Sequence, residues 1–271
     1  MKIAIQGLKG SFHDQVATTL YAGSSIIECK SFEQVFQGVE TGVVDLGIVA
    51  IENSLQGSIN QTYRLLSSTG LKIIKEYYLD VNQYLIGTLP QELSSLNVTE
   101  TKIYSMFPAF AQVENWLEVN LPNAEKVEYL DTAASVQKIM EDRNPHELAI
   151  AGKLASDLYG ATIVAGPIND HKNNQTRFLV IKRVPEDELS GTKTSIILTT
   201  DHSPGALYES LGVFSRLGVN LSKLDSYPIA GDKWRYMFYI DFDKGLQDSV
   251  SKNVISELLS MGYEVKVLGS Y

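Results

Sequence analysis

The sequence predicts a layered α/β region followed by a small ferredoxin-like domain, and three observations carry that expectation. Short apolar segments alternate with amphipathic helical ones through the first two thirds of the chain, the polar stretch from Arg183 to Gly191 breaks the rhythm, and a βαββαβ order follows it. A chain of 271 residues is long enough for about two domains at roughly 150 residues each. Its 44% hydrophobic content, with 20 Gly and 8 Pro, excludes a disordered or collagen-like chain.

Lys2 to Gln6 reads as a strand, Gly7 to Ser11 as a tight turn and Asp14 to Tyr21 as a helix. Ile26 to Cys29 repeats the strand pattern, Ser31 caps a helix through Glu40, and Asp45 to Ile51 is a third strand. Gln56 to Ser67 is helical and Leu71 to Leu79 extended. A second αβ series places strands at Ile86, Lys102 to Ser105, Val127 to Tyr129 and Thr162 to Ala165. Its helices are expected at Pro108 to Val119, Ala133 to Met140 and Glu147 to Tyr159. Beyond the polar break, strands are expected at Lys193 to Thr200, Leu221 to Ile229, Trp234 to Phe242 and Glu264 to Leu268. Helices are expected at Gly205 to Leu217 and Leu246 to Ser260.

Charge and residue usage narrow the function. With 23 Lys and Arg against 32 Asp and Glu, the net charge of −9 argues against a nonspecific nucleic-acid binder. The single cysteine, Cys29, excludes an intrachain disulfide and a multi-thiolate metal site, and suits a reducing compartment. No apolar run approaches the ~20 residues that cross a bilayer, so the expectation is a cytoplasmic protein with no membrane and no nucleic-acid partner. The four histidines are dispersed and lack metal-ligand spacing, so no metal is expected.

Three clusters carry possible chemistry. The turn Gly7-Leu8-Lys9-Gly10-Ser11-Phe12 aims backbone N–H groups at an anion, or is simply a tight βα connection. Glu52, Asn53 and Ser54 follow a strand, where they either meet a ligand or cap the next segment. Asn173-Asn174-Gln175-Thr176-Arg177-Phe178 precedes an extended Leu179 to Ile181, either as a ligand loop or as a polar lead-in; Thr176 offers a hydroxyl and Arg177 a guanidinium fork. His13 borders the first turn and reads first as an early-helix polar contact.

Taken in order, these segments resemble the prephenate dehydratase family: the Gly7/Gly10/Ser11/Phe12 turn, Glu52-Asn53-Ser54 with Gly57, Asp131-Thr132-Ala133-Ala134, and Asn174-Gln175-Thr176-Arg177-Phe178. Gly205-Ala206-Leu207 and Asp225-Ser226-Tyr227-Pro228 then resemble that family's ACT regulatory domain. The resemblance implies a catalytic region over residues 1–182, built as two periplasmic-binding-protein-like lobes, and an ACT domain over residues 192–271. It implies a cofactor-independent carbon–oxygen lyase that converts prephenate to phenylpyruvate, water and carbon dioxide in phenylalanine biosynthesis. It casts Thr176 as the catalytic residue, with Gly10, Ser11, Glu52, Asn53, Ser54, Thr132, Arg177 and Phe178 as substrate contacts. Gly205, Ala206, Leu207, Asn220 and Leu221 become the site for phenylalanine as allosteric inhibitor at an interface of a homodimer or homotetramer.

The sequence departs from the family pattern at Gly7-Leu8-Lys9-Gly10, at His13-Asp14, where a hydroxyl residue and a His are usual, and at Ser105-Met106-Phe107-Pro108-Ala109-Phe110. Tyr227 stands where the regulatory motif usually has Arg. Two alternatives follow: a non-enzymatic sensor of an amino acid or small acid, and an arogenate dehydratase.

Overall fold

The computed structural model describes residues 1–96, 99–229 and 235–271. Its strands are β1 (Lys2–Gln6), β2 (Ser25–Cys29), β3 (Leu46–Asn53), β4 (Gly57–Ser58), β5 (Lys72–Asp80), β6 (Tyr84–Gly87), β7 (Lys102–Ser105), β8 (Glu125–Glu128), β9 (Glu147–Ala151), β10 (Thr162–Ala165), β11 (Gln175–Lys182), β12 (Thr194–Thr199), β13 (Leu221–Pro228), β14 (Tyr236–Phe242) and β15 (Glu264–Ser270). Its helices are α1 (Phe12–Leu20), α2 (Phe32–Glu40), α3 (Asn60–Ser68), α4 (Phe107–Ala111), α5 (Glu114–Asn120), α6 (Thr132–Asp142), α7 (Lys153–Tyr159), α8 (Ala206–Arg216) and α9 (Ser249–Ser260). Among the described residues no helix is long and apolar enough to cross a membrane.

The chain divides into two compact units. One comprises Met1–Val35, Ile48–Ile59 and Tyr77–Phe178. Within it β1 pairs in parallel with β2, and a separate five-stranded sheet runs β10-β6-β9-β7-β8. This second sheet buries Leu85, Ile103, Leu148 and Ile150 on one face, and Ile86, Ala149 and Ala151 on the other. Burial on both faces explains a misreading. Glu147 to Ala151 carries no alternation, so it passes for the start of a helix, yet it is β9, and helix α7 begins only after Gly152. The helix expected over Pro108 to Val119 is two helices interrupted at Gln112 and Val113. The one expected from Gln56 begins with β4 and becomes helical at Asn60.

The other unit comprises Phe36–Gly47, Asn60–Glu76 and Leu179–Tyr271. Its β12-α8-β13-β14-α9-β15 segment forms an antiparallel sheet in the order β13-β14-β12-β15, which is the ferredoxin-like arrangement expected from the element order. Ile196, Leu198, Phe214, Ile240 and Leu258 fill the core between this sheet and its two helices. The Trp234 end of the strand expected at Trp234 to Phe242 lies outside the described residues, and β14 begins at Tyr236. The polar break contains a short turn at Glu186–Glu188 and buries Leu189.

In the same unit β15 lies parallel to β5 through Gly269 and Ile73. Any Cβ on Gly269 would stand 2.2 Å from the Ile73 carbonyl oxygen, so only glycine admits this approach. Lysines fasten the contact. Lys266 Nζ donates to the carbonyls of Leu66, Ser67 and Thr69 at 3.1, 2.7 and 2.6 Å, capping the C-terminal end of α3. Lys193 pairs with Glu76 at 2.6 Å, and Lys72 with Glu186 at 3.0 Å.

Candidate active site

A cavity of about 290 Å³ opens in the first unit, at the lower end of the size range for small-molecule sites. Thr176, Phe178, Asn53, Ser11 and Thr132 line it, together with His13, read from the sequence as an early-helix contact, Asp131, named there only within a motif, and Gln83 and Gln112, which the sequence did not single out. Among the described residues, no Lys or Arg lines it. Two helix starts border it, each with a carboxylate in its cap or first turn, Asp14 at α1 and Asp131 at α6. Ser11 caps α1, its Oγ accepting from Asp14 N–H at 3.3 Å, and Asp131 caps α6, accepting from Ala134 N–H at 2.7 Å. Asp131 also accepts from Leu8 N–H at 3.3 Å. Gly7 stands beside it at φ +94°, where a Cβ would come within 3.2 Å of the Asp131 carboxylate.

The polar core of the site is a directed chain of amides, and the backbone fixes its direction. Asn53 Oδ1 accepts the N–H groups of Leu55 and Gln56 at 3.0 and 3.1 Å, so its Nδ2 faces the other way. That nitrogen donates to Thr176 Oγ1 at 2.9 Å and Asn174 Oδ1 at 2.8 Å. Asn174 Nδ2 in turn donates to Gln112 Oε1 at 2.9 Å, which also receives Gln83 Nε2 at 3.0 Å. Since Thr176 Oγ1 already accepts from Asn53, its own proton points elsewhere, and no protein acceptor takes it among the described residues. Thr176 is 8% exposed and Asn53 6%, so these bonds are made away from bulk water.

His13 forms part of the wall beside them. Its Nε2 accepts the Ala50 N–H at 3.2 Å, and its ring meets Phe178 edge-on at 5.0 Å and Phe32 at 5.7 Å. Burial pulls its pKa down from 6.5 to about 4, so the imidazole is neutral at physiological pH.

The structure separates several residues that the sequence reading grouped. The expected strand at Leu179 begins four residues earlier, and in β11 the side chains of Thr176 and Phe178 share one face while Arg177 takes the other. Arg177 is absent from the cavity wall, and its guanidinium lies 6.0 Å from the Tyr78 ring centroid. Thus Thr176 and Arg177 do not converge on one ligand here. Ser54 stitches backbone together instead, donating to Asn173 O at 3.0 Å and accepting from Gln175 N–H at 2.9 Å. Gly10 N–H donates to Asp14 at 2.8 Å, and Glu52 stands opposite Ser58 in the β3–β4 pair; neither lines the cavity. A period of two read through Gln175 to Phe178 would have shown the Thr176/Arg177 split.

The second unit has a smaller cavity of about 140 Å³. Ala206 and Leu207 line it with Thr200, Asp201, Tyr236 and Phe238. Gly205 sits at the α8 cap with φ +87°. Asn220 and Leu221 do not line this cavity: Asn220 Nδ2 donates to Asp243 at 3.1 Å, and Leu221 pairs with Phe242 in the sheet.

A mixed α/β protein with two sheets, carrying a buried, directed hydroxyl in a small-molecule cavity, has the makings of an enzyme for a compact substrate. The family model for prephenate dehydratase matches residues 3–186. A bifunctional chorismate mutase/prephenate dehydratase of Aquifex aeolicus is 33% identical over 272 residues, covering 100% of this chain and 73% of that one. An arogenate dehydratase/prephenate dehydratase of Arabidopsis thaliana is 33% identical over 284 residues, covering 100% of this chain and 72% of that one. Among solved structures, a prephenate dehydratase from Arthrobacter aurescens in complex with L-Phe superposes with a TM-score of 0.87 at 29% identity, covering 100% of this chain and 90% of that one. The chain belongs to the prephenate dehydratase family and is an enzyme of that family.

Proposed function

We propose that the enzyme converts prephenate to phenylpyruvate, water and carbon dioxide, as a step of phenylalanine biosynthesis, with the chemistry centred on Thr176. The carrying observation is the Asn53-to-Thr176 hydrogen bond, which fixes the threonine oxygen as acceptor and leaves its proton for the substrate. Prephenate holds a carboxylate and a hydroxyl at opposite carbons of a cyclohexadiene ring. As the C–CO₂ bond breaks, its electron pair enters the ring and the C–O bond at the far carbon releases hydroxide, which leaves as water once protonated. Thr176 donates its hydrogen bond to that departing oxygen, while Asn53 stabilises charge that builds on Thr176 in return. The gain in aromaticity drives the step, so no electron-sink cofactor is invoked.

The carboxylates are held by neutral donors at the starts of α1 and α6, at Ser11 and Thr132, and Phe178 packs on the ring. Gly10, Glu52 and Ser54 act one layer back by shaping the turns that present these groups. Arg177 has a packing role. We assign residues 1–182 to catalysis, as two periplasmic-binding-protein-like lobes, and residues 192–271 to an ACT domain. Its Gly205-Ala206-Leu207 turn binds phenylalanine as feedback inhibitor in a cytoplasmic homodimer or homotetramer.

Purified protein incubated separately with prephenate and arogenate, with and without phenylalanine, tests this reading. Phenylpyruvate from prephenate, suppressed by phenylalanine, is the expected result. Phenylalanine formed only from arogenate would move the substrate assignment to the reaction that the Arabidopsis relative's name includes. Turnover of neither would reject the enzymatic reading in favour of a sensor.

A further inference from the structure

Among the described residues the wall of the cavity offers an anionic ligand no Lys or Arg, which makes each neutral N–H on it valuable. His13 holds one such donor in a defined direction. Its Nε2 accepts the Ala50 amide proton and therefore carries the lone pair, so in the neutral ring the proton resides on Nδ1. Nδ1 makes no hydrogen bond to a described residue, and it is not among the buried polar atoms left without a partner, so it keeps access to solvent or ligand. Edge-on contact with Phe178 and tilted contact with Phe32 hold the ring plane. The tautomer and the orientation are thus both set by the protein before anything binds.

We propose that His13 is a substrate-contacting residue whose Nδ1–H donates a hydrogen bond to a carboxylate of the substrate, a role additional to that of Thr176 and distinct from a helix-start contact. The inference rests on the dehydratase reading above. It assigns ligand binding to a neutral imidazole, so His13 carries no proton in the reaction. Depressed basicity agrees with that assignment, since the ring stays uncharged at working pH.

The two ring nitrogens can be tested apart, because Gln places its amide near Nε2 and Asn places its amide near Nδ1. His13→Gln keeps an acceptor for Ala50 N–H and loses the donor, whereas His13→Asn keeps the donor and loses the acceptor. Removing a hydrogen bond to a charged group is expected to raise KM for prephenate about tenfold in H13Q, with kcat changed by less than about threefold. H13N is expected to recover most of that loss. The reverse order, equal loss in both, or no loss in either overturns the proposal. A wild-type enzyme inactive on prephenate would instead overturn the dehydratase reading on which it rests. Should either variant fail to fold, the imidazole N–H resonance of ¹⁵N-histidine-labelled Thr176→Val protein, in which prephenate keeps both carboxylates, supplies the answer. Addition of prephenate should shift the Nδ1–H signal, and an unmoved signal at saturation overturns the contact.

Discussion

Around Thr176, on one wall of the cavity, hydrogen bonds run between neutral groups, Asn53, Asn174, Gln112, Gln83 and Thr176, while the Asp131 carboxylate caps α6 elsewhere on the lining. Where β15 meets β5 and α3, they run from lysines: Lys266 to three carbonyls, Lys72 to a carbonyl and Glu186, Lys193 to Glu76. The difference follows from what each place must do. Lysine is a strong anchor for carbonyls but a directionless one, with three rotatable donors on a flexible stem. Amides have a donor end and an acceptor end, so Asn53, oriented through its oxygen by the Leu55 and Gln56 N–H groups, turns its donor end to the Thr176 hydroxyl. Fastening tolerates a floppy cation, whereas aiming a proton needs polarity fixed at every link.

The largest expected effect tests whether the aimed hydroxyl is what matters. Thr176→Val keeps the shape of the side chain and removes the O–H; turnover of prephenate should fall about 10²- to 10³-fold in a protein that melts near wild type. Wild-type turnover in T176V would break the contrast, since the amide chain would then lead to nothing.

The second test concerns the histidine beside that chain. In the folded protein its pKa is lowered to about 4, whereas the unfolded chain regains 6.5. Below pH 6.5 the unfolded state binds a proton that the folded state refuses, so stability is lost as pH falls from 6.5 towards 4, by of order 3 kcal/mol from this residue. Urea unfolding of wild type and H13N at pH 7 and pH 4.5 should show the extra slope in wild type alone.

On the seam, Lys266→Met removes the cap from the α3 C-terminus and should cost about 1 to 3 kcal/mol in a thermal or urea melt. Burial, and then the charge of Lys72, lower the pKa of Lys266, so the loss is moderated by relief of that strain. KM for prephenate should stay unchanged in K266M. The smallest effect is expected of Arg177→Lys. With the side chain on the face of β11 away from Thr176, KM should move by less than about twofold. A large rise in KM would restore Arg177 to the ligand and blur the line between a neutral site and a charged framework.

Much of the architecture was legible from the sequence because local signals agreed with it. Lys2 to Gln6, Lys102 to Ser105 and Thr162 to Ala165 are strands over the expected residues, and the βαββαβ order after the polar break gave the right sheet. Glu147 to Ala151 was illegible because burial on both faces erases alternation. At the site, Thr176, Asn53, Ser11, Thr132 and Phe178 were found through motifs and do share one cavity. A strand read from Leu179 rather than Gln175 conceals that Thr176 and Arg177 take opposite faces of β11. Asn174, Gln112 and Gln83 escaped selection for a different reason. Their meaning lies in which amide end meets which, across separations of 62 and 29 residues, and a one-dimensional pattern holds no record of that.

The latch at Asn53 Oδ1 carries a consequence for Leu55. The chain of amides takes its sense from two main-chain protons, and one of them belongs to a residue whose side chain is 41% exposed. At position 55, nineteen of the coded residues supply the same proton whatever else they bring, and proline supplies none. A survey of side chains would score the site as indifferent. One imino acid there would halve the latch, leaving the Gln56 N–H alone to hold the asparagine's sense.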